Sequence, residues 1–412
     1  MSMEPVLKGQ ADAGLAAPSS LGRWVAAEER IANLLPEQPQ HNRVRLLAEI
    51  YGYAAAAVRE ARDTYGEDAG PPDFYGNPWL GSPVFICGCH RSGTTLMQRL
   101  LDGHPDLLVL PNEASYFTSF SHVARPNPHR RDLDRYAAEW IARFIDPNTP
   151  PHFRLGHTSA SGNPSVMLCR RLFAWQAALA NEPAVPAPLT SLLALAAAFR
   201  DVAFADRTPS LWVEKTPCNE LNVARLRRLP AARYIHMVRD PRSALSSLEE
   251  AYRNSGARFD ADKQIRLLAR SLRLADRHRR SMPERYLVVI YEDLIRDPHK
   301  EMVRVCDFLK LEMSDCLQVP TAGGVPVESN SSFMATPAGQ IHRAGRPRPL
   351  PAKHELLVRA LLQTAAQRFD YSLEPLNPLR KWSIQAGSGM RQLAHAVTSR
   401  LNAIDKCTPS LK

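Results

Sequence analysis

Apolar residues recur along this chain with two rhythms. Four short runs rich in β-branched and aromatic side chains, at residues 84–86, 211–213, 234–238 and 286–290, read as buried strands. Between them apolar positions fall three and four apart. Leu96, Leu100 and Leu101 predict a helix behind residue 93, and Ile265, Leu268 and Leu272 predict one over 264–281. A further helix is expected over 301–309, after the cap pair Asp297 and Pro298. Strands alternating with helices predict an α/β fold, with a central parallel sheet flanked by helices.

Residues 24–58 also carry helical periodicity, rich in Ala and Leu, and give way to a Gly- and Pro-rich break at 65–82. The chain therefore divides into an N-terminal helical extension (1–78), one α/β domain (79–375) and a basic, loosely attached tail (376–412). Residues 121–205 read as an insertion in that domain. It is polar and rich in proline and histidine to 165, helical beyond, and suited to a lid over an acceptor.

Composition narrows the classes. The longest apolar run, 192–199, is closed by Arg200 and Asp201, too short to span a bilayer. Polar and acidic residues precede any apolar stretch at the N-terminus, so no secretory signal is expected and the reading is a soluble, cytoplasmic protein. Seven cysteines show no repeated metal-ligand spacing, which predicts buried free thiols, a reducing compartment and no metal. A net charge of +10 raises nucleic acid, anionic lipid or an acidic ligand as partners. Arg266, Arg270, Arg273 and Arg277 form a stripe on the 264–281 helix, read as a solvated face. No aromatic residues interleave with it, so nucleic acid is not expected.

The most informative stretch is residues 83–95, Pro-Val-Phe-Ile-Cys-Gly-Cys-His-Arg-Ser-Gly-Thr-Thr. A strand running through a glycine-bounded turn into a helix aims several backbone N–H groups at one point, an arrangement that favours phosphate. Gly88 and Gly93 have P-loop spacing, but Thr94 stands where a nucleoside triphosphate site needs lysine. The cation lies inside the loop instead, at Arg91. A second anion-suited turn follows the strand 234–238, where Arg239 stands at the strand's carboxyl end, Asp240 and Pro241 start a helix, and Ser247 lies in its second turn.

Together these residues resemble the PAPS-dependent sulfotransferases, which use 3′-phosphoadenosine 5′-phosphosulfate (PAPS) and share a P-loop nucleotide-binding-like fold. The run Arg-Ser-Gly-Thr-Thr-Leu-Met, followed by Leu-Asp-Gly-His-Pro-Asp, narrows the resemblance to protein-tyrosine sulfotransferases and their bacterial relatives. The resemblance implies that Arg91, Ser92, Gly93, Thr94 and Thr95 hold the 5′-phosphosulfate, and that Arg239 and Ser247 hold the 3′-phosphate. It sets Tyr291 against the adenine and assigns a late-loop cation, Arg343, to closing over the nucleotide, with Arg346 and Arg348 as equal alternatives. Lys215, in Glu-Lys-Thr-Pro, matches the lysine that contacts the leaving oxygen. Glu113, aligned after one inserted residue, matches the general base, with His104 and His122 as alternatives.

The expected activity is sulfuryl transfer to a hydroxyl of a carbohydrate or glycolipid such as a lipo-oligosaccharide, with peptide tyrosine second. The alternative of another class is a nonenzymatic basic protein that binds nucleic acid or a membrane. Glu214 and Lys215 taken alone read as a surface ion pair.

Overall fold

Five parallel strands form the central sheet: β1 (Pro83–Cys87), β2 (Leu107–Val109), β3 (Leu211–Lys215), β4 (Arg233–Val238) and β5 (Tyr286–Ile290). Their spatial order is β2-β3-β1-β4-β5. The computed structural model describes residues 20–33, 41–64, 72–125, 127–146, 163–329, 336–342 and 349–387. All five residues of both β1 and β3 are buried, as in a parallel sheet covered on both faces. Alternation still sorts them: Val84 and Ile86 point into one apolar cluster, Phe85 and Cys87 into another.

Helices α1 (Ser20–Asn33) and α2 (His41–Asp63) precede the sheet, and α3 (Thr94–Leu101) follows β1. Between β2 and β3 lie α4 (Arg130–Ile145), α5 (Pro164–Ala180) and α6 (Thr190–Ala203). A short α7 (Val223–Leu226) leads to β4, and α8 (Pro241–Asn254) and α9 (Ala261–Ser281) to β5. Then come α10 (Tyr291–Arg296), α11 (Pro298–Leu309) and α12 (Ala352–Ala366). The cap pairs read from sequence are present: Asp240 accepts from the N–H groups of Arg242 and Ser243, and Asp297 from that of Lys300.

Two elements differ from the sequence reading. The stretch 121–165 is not polar throughout, because α4 lies within it and buries Tyr136, Trp140 and Phe144 in the same cluster as α2, α5 and α6. Residues 107–109 form the edge strand β2, three residues long, in register with β3. No helix among the described residues is long and apolar enough to cross a membrane.

The topology fixes where a ligand can sit. Beyond β1 the chain first crosses to one side, to β2 and β3, and then to the other, to β4 and β5. The carboxyl ends of β1, β3 and β4 therefore face one crevice at the topological switch point. Ile86 pairs with Lys215, and Cys87 pairs with His236, so the turn after β1 opens between β3 and β4.

Candidate active site

From Cys87 the chain turns through Gly88 (φ 123°), Arg91 (φ 67°) and Gly93 (φ 94°) into α3. A Cβ on Gly88 would lie 2.6 Å from the Met237 carbonyl oxygen, and one on Gly93 would lie 2.4 Å from Tyr291 Cδ2. Glycine at both positions is thus demanded by neighbouring β4 and α10 as well as by φ. No side chain caps α3. Met97 N–H donates the first intrahelical bond, to Gly93 O, which leaves the amides of Thr94, Thr95 and Leu96 ahead of it. Ser92 and Thr94 are buried within this turn. An uncapped helix start at the mouth of a crevice favours an anion.

The second turn meets the first directly. Arg91 Nε donates to Ser247 Oγ at 3.0 Å, and Arg239 Nη1 donates to the Arg91 carbonyl at 2.9 Å. The Arg239 guanidinium lies 4.4 Å from the centroid of the Tyr291 ring. Tyr291 therefore fills the space between Gly93 and Arg239, bracing the cation by its π face. Burial and then the Arg239 charge hold Arg91 below its ordinary value. Arg239 Nε is buried without a hydrogen-bond partner. An anion between two crowded guanidiniums relieves both conditions.

The start of α8 contributes less than its sequence suggests. The Asp240 carboxylate occupies it, and Asp240 N–H donates to Glu292 Oε1 at 3.1 Å. That leaves the side chains of Arg239 and Ser247 as the groups on this side suited to an anion.

Opposite them stands the Glu113–Lys215 pair, with Lys215 Nζ 2.6 Å from Glu113 Oε1. Glu214 and Lys215 are not a surface pair: they are 2% and 5% exposed. The sheet is covered there on both faces, so each charge finds a fixed partner. Glu214 Oε1 accepts from Ala114 N–H at 3.0 Å and from Thr216 Oγ1 at 2.5 Å, and Oε2 accepts from Asn219 Nδ2 at 2.7 Å. Thr216 Oγ1 in turn accepts from Ser115 N–H at 2.9 Å. Burial pushes the Glu214 carboxyl up against these hydrogen bonds. Three consecutive residues of β3 and its exit thus hold three consecutive residues of the facing loop: Lys215 the Glu113 carboxylate, Glu214 the amide of Ala114, and Thr216 that of Ser115. Arg143 of α4 donates to the Glu113 carbonyl from the other side.

Sequence reasoning did not mark Arg143, Thr216 or Asn219, and it read Glu214 only as half of a surface pair. It also missed His90, whose imidazole burial holds low and which feels the charges of Glu113, Lys215 and Arg91. His104 is engaged elsewhere: its Nε2 bonds to Glu312 O at 3.1 Å and its Nδ1 accepts from Asp106 N–H. His122 lies edge-on to Phe120, 6.0 Å between centroids. Arg343, Arg346 and Arg348 lie outside the described residues.

Beneath the loop runs a buried polar chain. Gly88 N–H donates to Glu220 Oε2 at 2.9 Å, and Ser271 Oγ donates to Glu220 Oε1 at 2.5 Å. With its proton so committed, Ser271 accepts from His236 Nε2 at 3.1 Å, and His236 Nδ1 accepts from Tyr286 OH at 2.7 Å. Burial holds His236 low, which matches this neutral tautomer. Cys89, Cys218 and Glu220 are the one metal-type trio among the described residues. Both Glu220 oxygens are already accepting, and the hydrogen bond that the Cys89 thiol shares with Cys218, together with burial, pushes that thiol up. A protonated thiol is a poor ligand.

Residues 83–315 match the profile of the Sulfotransferase family, over half of the chain. A provisionally named protein-tyrosine sulfotransferase of Caenorhabditis briggsae is 25% identical over 234 residues, 56% of this chain. The chain spans 66% of the length of that curated relative. Among solved structures, the sulfotransferase domain of a Synechococcus olefin synthase is 22% identical, covers 74% of this chain and 100% of that one, and superposes with a TM-score of 0.38. A sulfotransferase of Alicyclobacillus acidocaldarius is 14% identical, covers 73% of this chain and 98% of that one, and has a TM-score of 0.39. At TM-scores this low the superpositions are loose, and the fold rests on the strand order and register above.

Proposed function

The chain belongs to the sulfotransferase family, and we propose that it moves a sulfuryl group from PAPS to an acceptor hydroxyl, that of a carbohydrate or glycolipid. The observation that carries this reading is the meeting of Arg91, Arg239 and Ser247 in one crevice whose opposite wall holds Glu113 and Lys215. The crevice fits such a donor: an uncapped helix start, an unpartnered buried guanidinium nitrogen and two mutually repelling cations await an anion.

PAPS supplies the sulfuryl electrophile and a phosphate leaving group. In this reading the loop amides and Arg91 bind the end that carries the sulfate, while Arg239 and Ser247 bind the 3′-phosphate. Glu113, with its side chain 38% exposed and aimed by Lys215 and Arg143, takes the acceptor proton as the new S–O bond forms. Lys215, only 6% exposed, stabilises the negative charge that grows on the departing oxygen. The acceptor gains the sulfuryl group, the nucleotide bisphosphate leaves with the electron pair of the broken bond, and the proton stays on Glu113.

A polar acceptor is favoured by the stretch that follows Pro111. Asn112 Nδ2, His122 Nε2 and Arg125 Nε are buried there without hydrogen-bond partners. A polyhydroxyl ligand can satisfy such groups, whereas a phenol ring offers one hydroxyl. Peptide tyrosine is the second reading, favoured by the Caenorhabditis briggsae relative. Incubation with PAPS and two acceptor panels, aryl glycosides and tyrosine peptides, with products read by mass spectrometry, decides between them. The proposal expects sulfated glycosides. Sulfated peptides alone would shift the acceptor, and no product in either panel would defeat the assignment.

A further inference from the structure

The arginine stripe of α9 has no part in the crevice just described, and the structure gives it a neighbour. Residues 378–387 form a helical segment against α12. Ile384 packs on the cluster that α9 and α12 share, Gln385 Nε2 donates to Ala360 O at 2.8 Å, and Lys381 Nζ reaches Gln363 Oε1 at 3.3 Å. Between α9, α12 and this segment lies an open cleft of about 600 Å³. Arg273, Arg277, Arg280, Arg368 and Lys381 line it, against the single acid Asp276.

That acid is already shared. Arg279, Arg280 and Arg368 all pair with Asp276, whose side chain is 5% exposed. Arg273 and Arg277 are exposed and form no salt bridge among the described residues. The cleft is therefore strongly cationic. Beside it two large apolar side chains face outward: Leu379 is 79% exposed and Trp382 is 70% exposed. At 100° per residue they share the face that turns away from Ile384, while Lys381 and Gln385 turn towards the cleft. A solvated basic face has no reason to present an exposed indole and leucine on its rim.

We propose that this face docks on an anionic lipid bilayer, with phosphodiester headgroups in the arginine cleft and Trp382 and Leu379 entering the interfacial layer. Charge complementarity selects the anionic leaflet, and an amphipathic indole prefers its headgroup depth. The inference is independent of sulfuryl transfer, and its test uses neither donor nor acceptor.

Trp382 provides the readout. It is the one exposed indole of the six tryptophans, the others being at most 5% exposed. The full chain is mixed with phosphatidylcholine vesicles with and without phosphatidylglycerol, and binding is followed by flotation and tryptophan emission. Binding to the anionic vesicles alone is expected, with a blue shift that is absent in Trp382→Ala. Each exposed guanidinium contributes about fivefold to partition beside an anionic leaflet. The double variant Arg273→Ala/Arg277→Ala should therefore partition about 25-fold less. Arg227→Ala/Arg228→Ala, exposed, elsewhere on the chain and equal in net charge, should stay within about twofold of the parent. The proposal is overturned by failure to bind anionic vesicles at low salt, or by equal losses in the two double variants. An unmoved emission maximum also overturns it, as does duplex DNA or dissolved glycerol phosphate displacing the protein from vesicles at matched phosphate concentration.

Discussion

Glu214→Gln separates the scaffold of the Glu113 loop from the proposed nucleotide site. The carboxylate accepts three hydrogen bonds, two at Oε1 and one at Oε2, and is 2% exposed. An amide has one accepting oxygen. If it faces Ala114 and Thr216, its NH₂ opposes the Asn219 amide; turned over, the NH₂ opposes the Ala114 N–H. Either way one buried donor loses its acceptor, at about 1–3 kcal/mol. Part of this is offset, since burial already disfavours the charged carboxylate. A net loss near 2 kcal/mol is expected. For 412 residues the unfolding entropy is about 0.9 kcal/mol/K, so Tm falls by about 2 °C. The functional effect should be larger, because the residue just before Ala114 is the proposed base, Glu113, and a displacement of about 1 Å costs roughly 100-fold in rate. Three assays follow. Amide hydrogen exchange at Ala114 and Ser115 should accelerate, turnover should fall about 100-fold, and affinity for 3′-phosphoadenosine 5′-phosphate should stay within about twofold, since Arg91 and Arg239 keep their contacts. Unchanged exchange and turnover would refute the idea that β3 holds the loop. An equal fall in nucleotide affinity would show that the two walls are not separable.

Further outcomes follow from the same geometry. Glu113→Gln should abolish turnover, about 100-fold or more, with nucleotide affinity retained in calorimetry; full activity would move the base elsewhere. Gly93→Ala adds a Cβ 2.4 Å from Tyr291 Cδ2 at φ 94°, strain of about 1–3 kcal/mol, and should weaken bisphosphate binding about tenfold or more by displacing the ring that braces Arg239; parental affinity would contradict it. His236 is held below 6.5 by burial, so below about pH 6.5 the unfolded chain binds a proton that the folded state refuses, and stability falls with pH. The raised Glu214 works the other way, adding stability as pH falls through its folded value towards about 4.5. Scanning calorimetry should show Tm declining from about pH 7 to pH 5.5; a flat profile would deny that the His236 imidazole is buried neutral.

Much of the fold was legible because each strand is a concentrated apolar run and each cap pair acts locally. β5 was read at 286–290 and is formed by those residues, and Asp240–Pro241 starts α8. β2 escaped because three residues after a helix end carry no period, and it exists through pairing with β3. α4 escaped because prolines and histidines on either side of it diluted its apolar stripe, which only packing reveals. The residues that converge, Arg91, Arg239 and Ser247, were visible as two cations after strand ends and a hydroxyl in the helix that follows the second. Their supports were not. Glu214 looked like half of a surface pair, and its role depends on a chain segment about one hundred positions away in sequence. The same holds for Arg143, which reaches Glu113 across thirty positions, and for Glu220 beneath Gly88.

The proposed function requires one crevice to grip a nucleotide that is phosphorylated at both ends. Calorimetric titration of the full chain with 3′-phosphoadenosine 5′-phosphate, AMP and ATP, repeated on Arg239→Ala, tests it most directly. One charge-assisted contact to the 3′-phosphate is worth about 1.5–3 kcal/mol, so the bisphosphate should bind about 10- to 100-fold tighter than AMP, with ATP weak. In Arg239→Ala that advantage should vanish. Tight ATP binding, or a bisphosphate preference that survives the loss of Arg239, would contradict it.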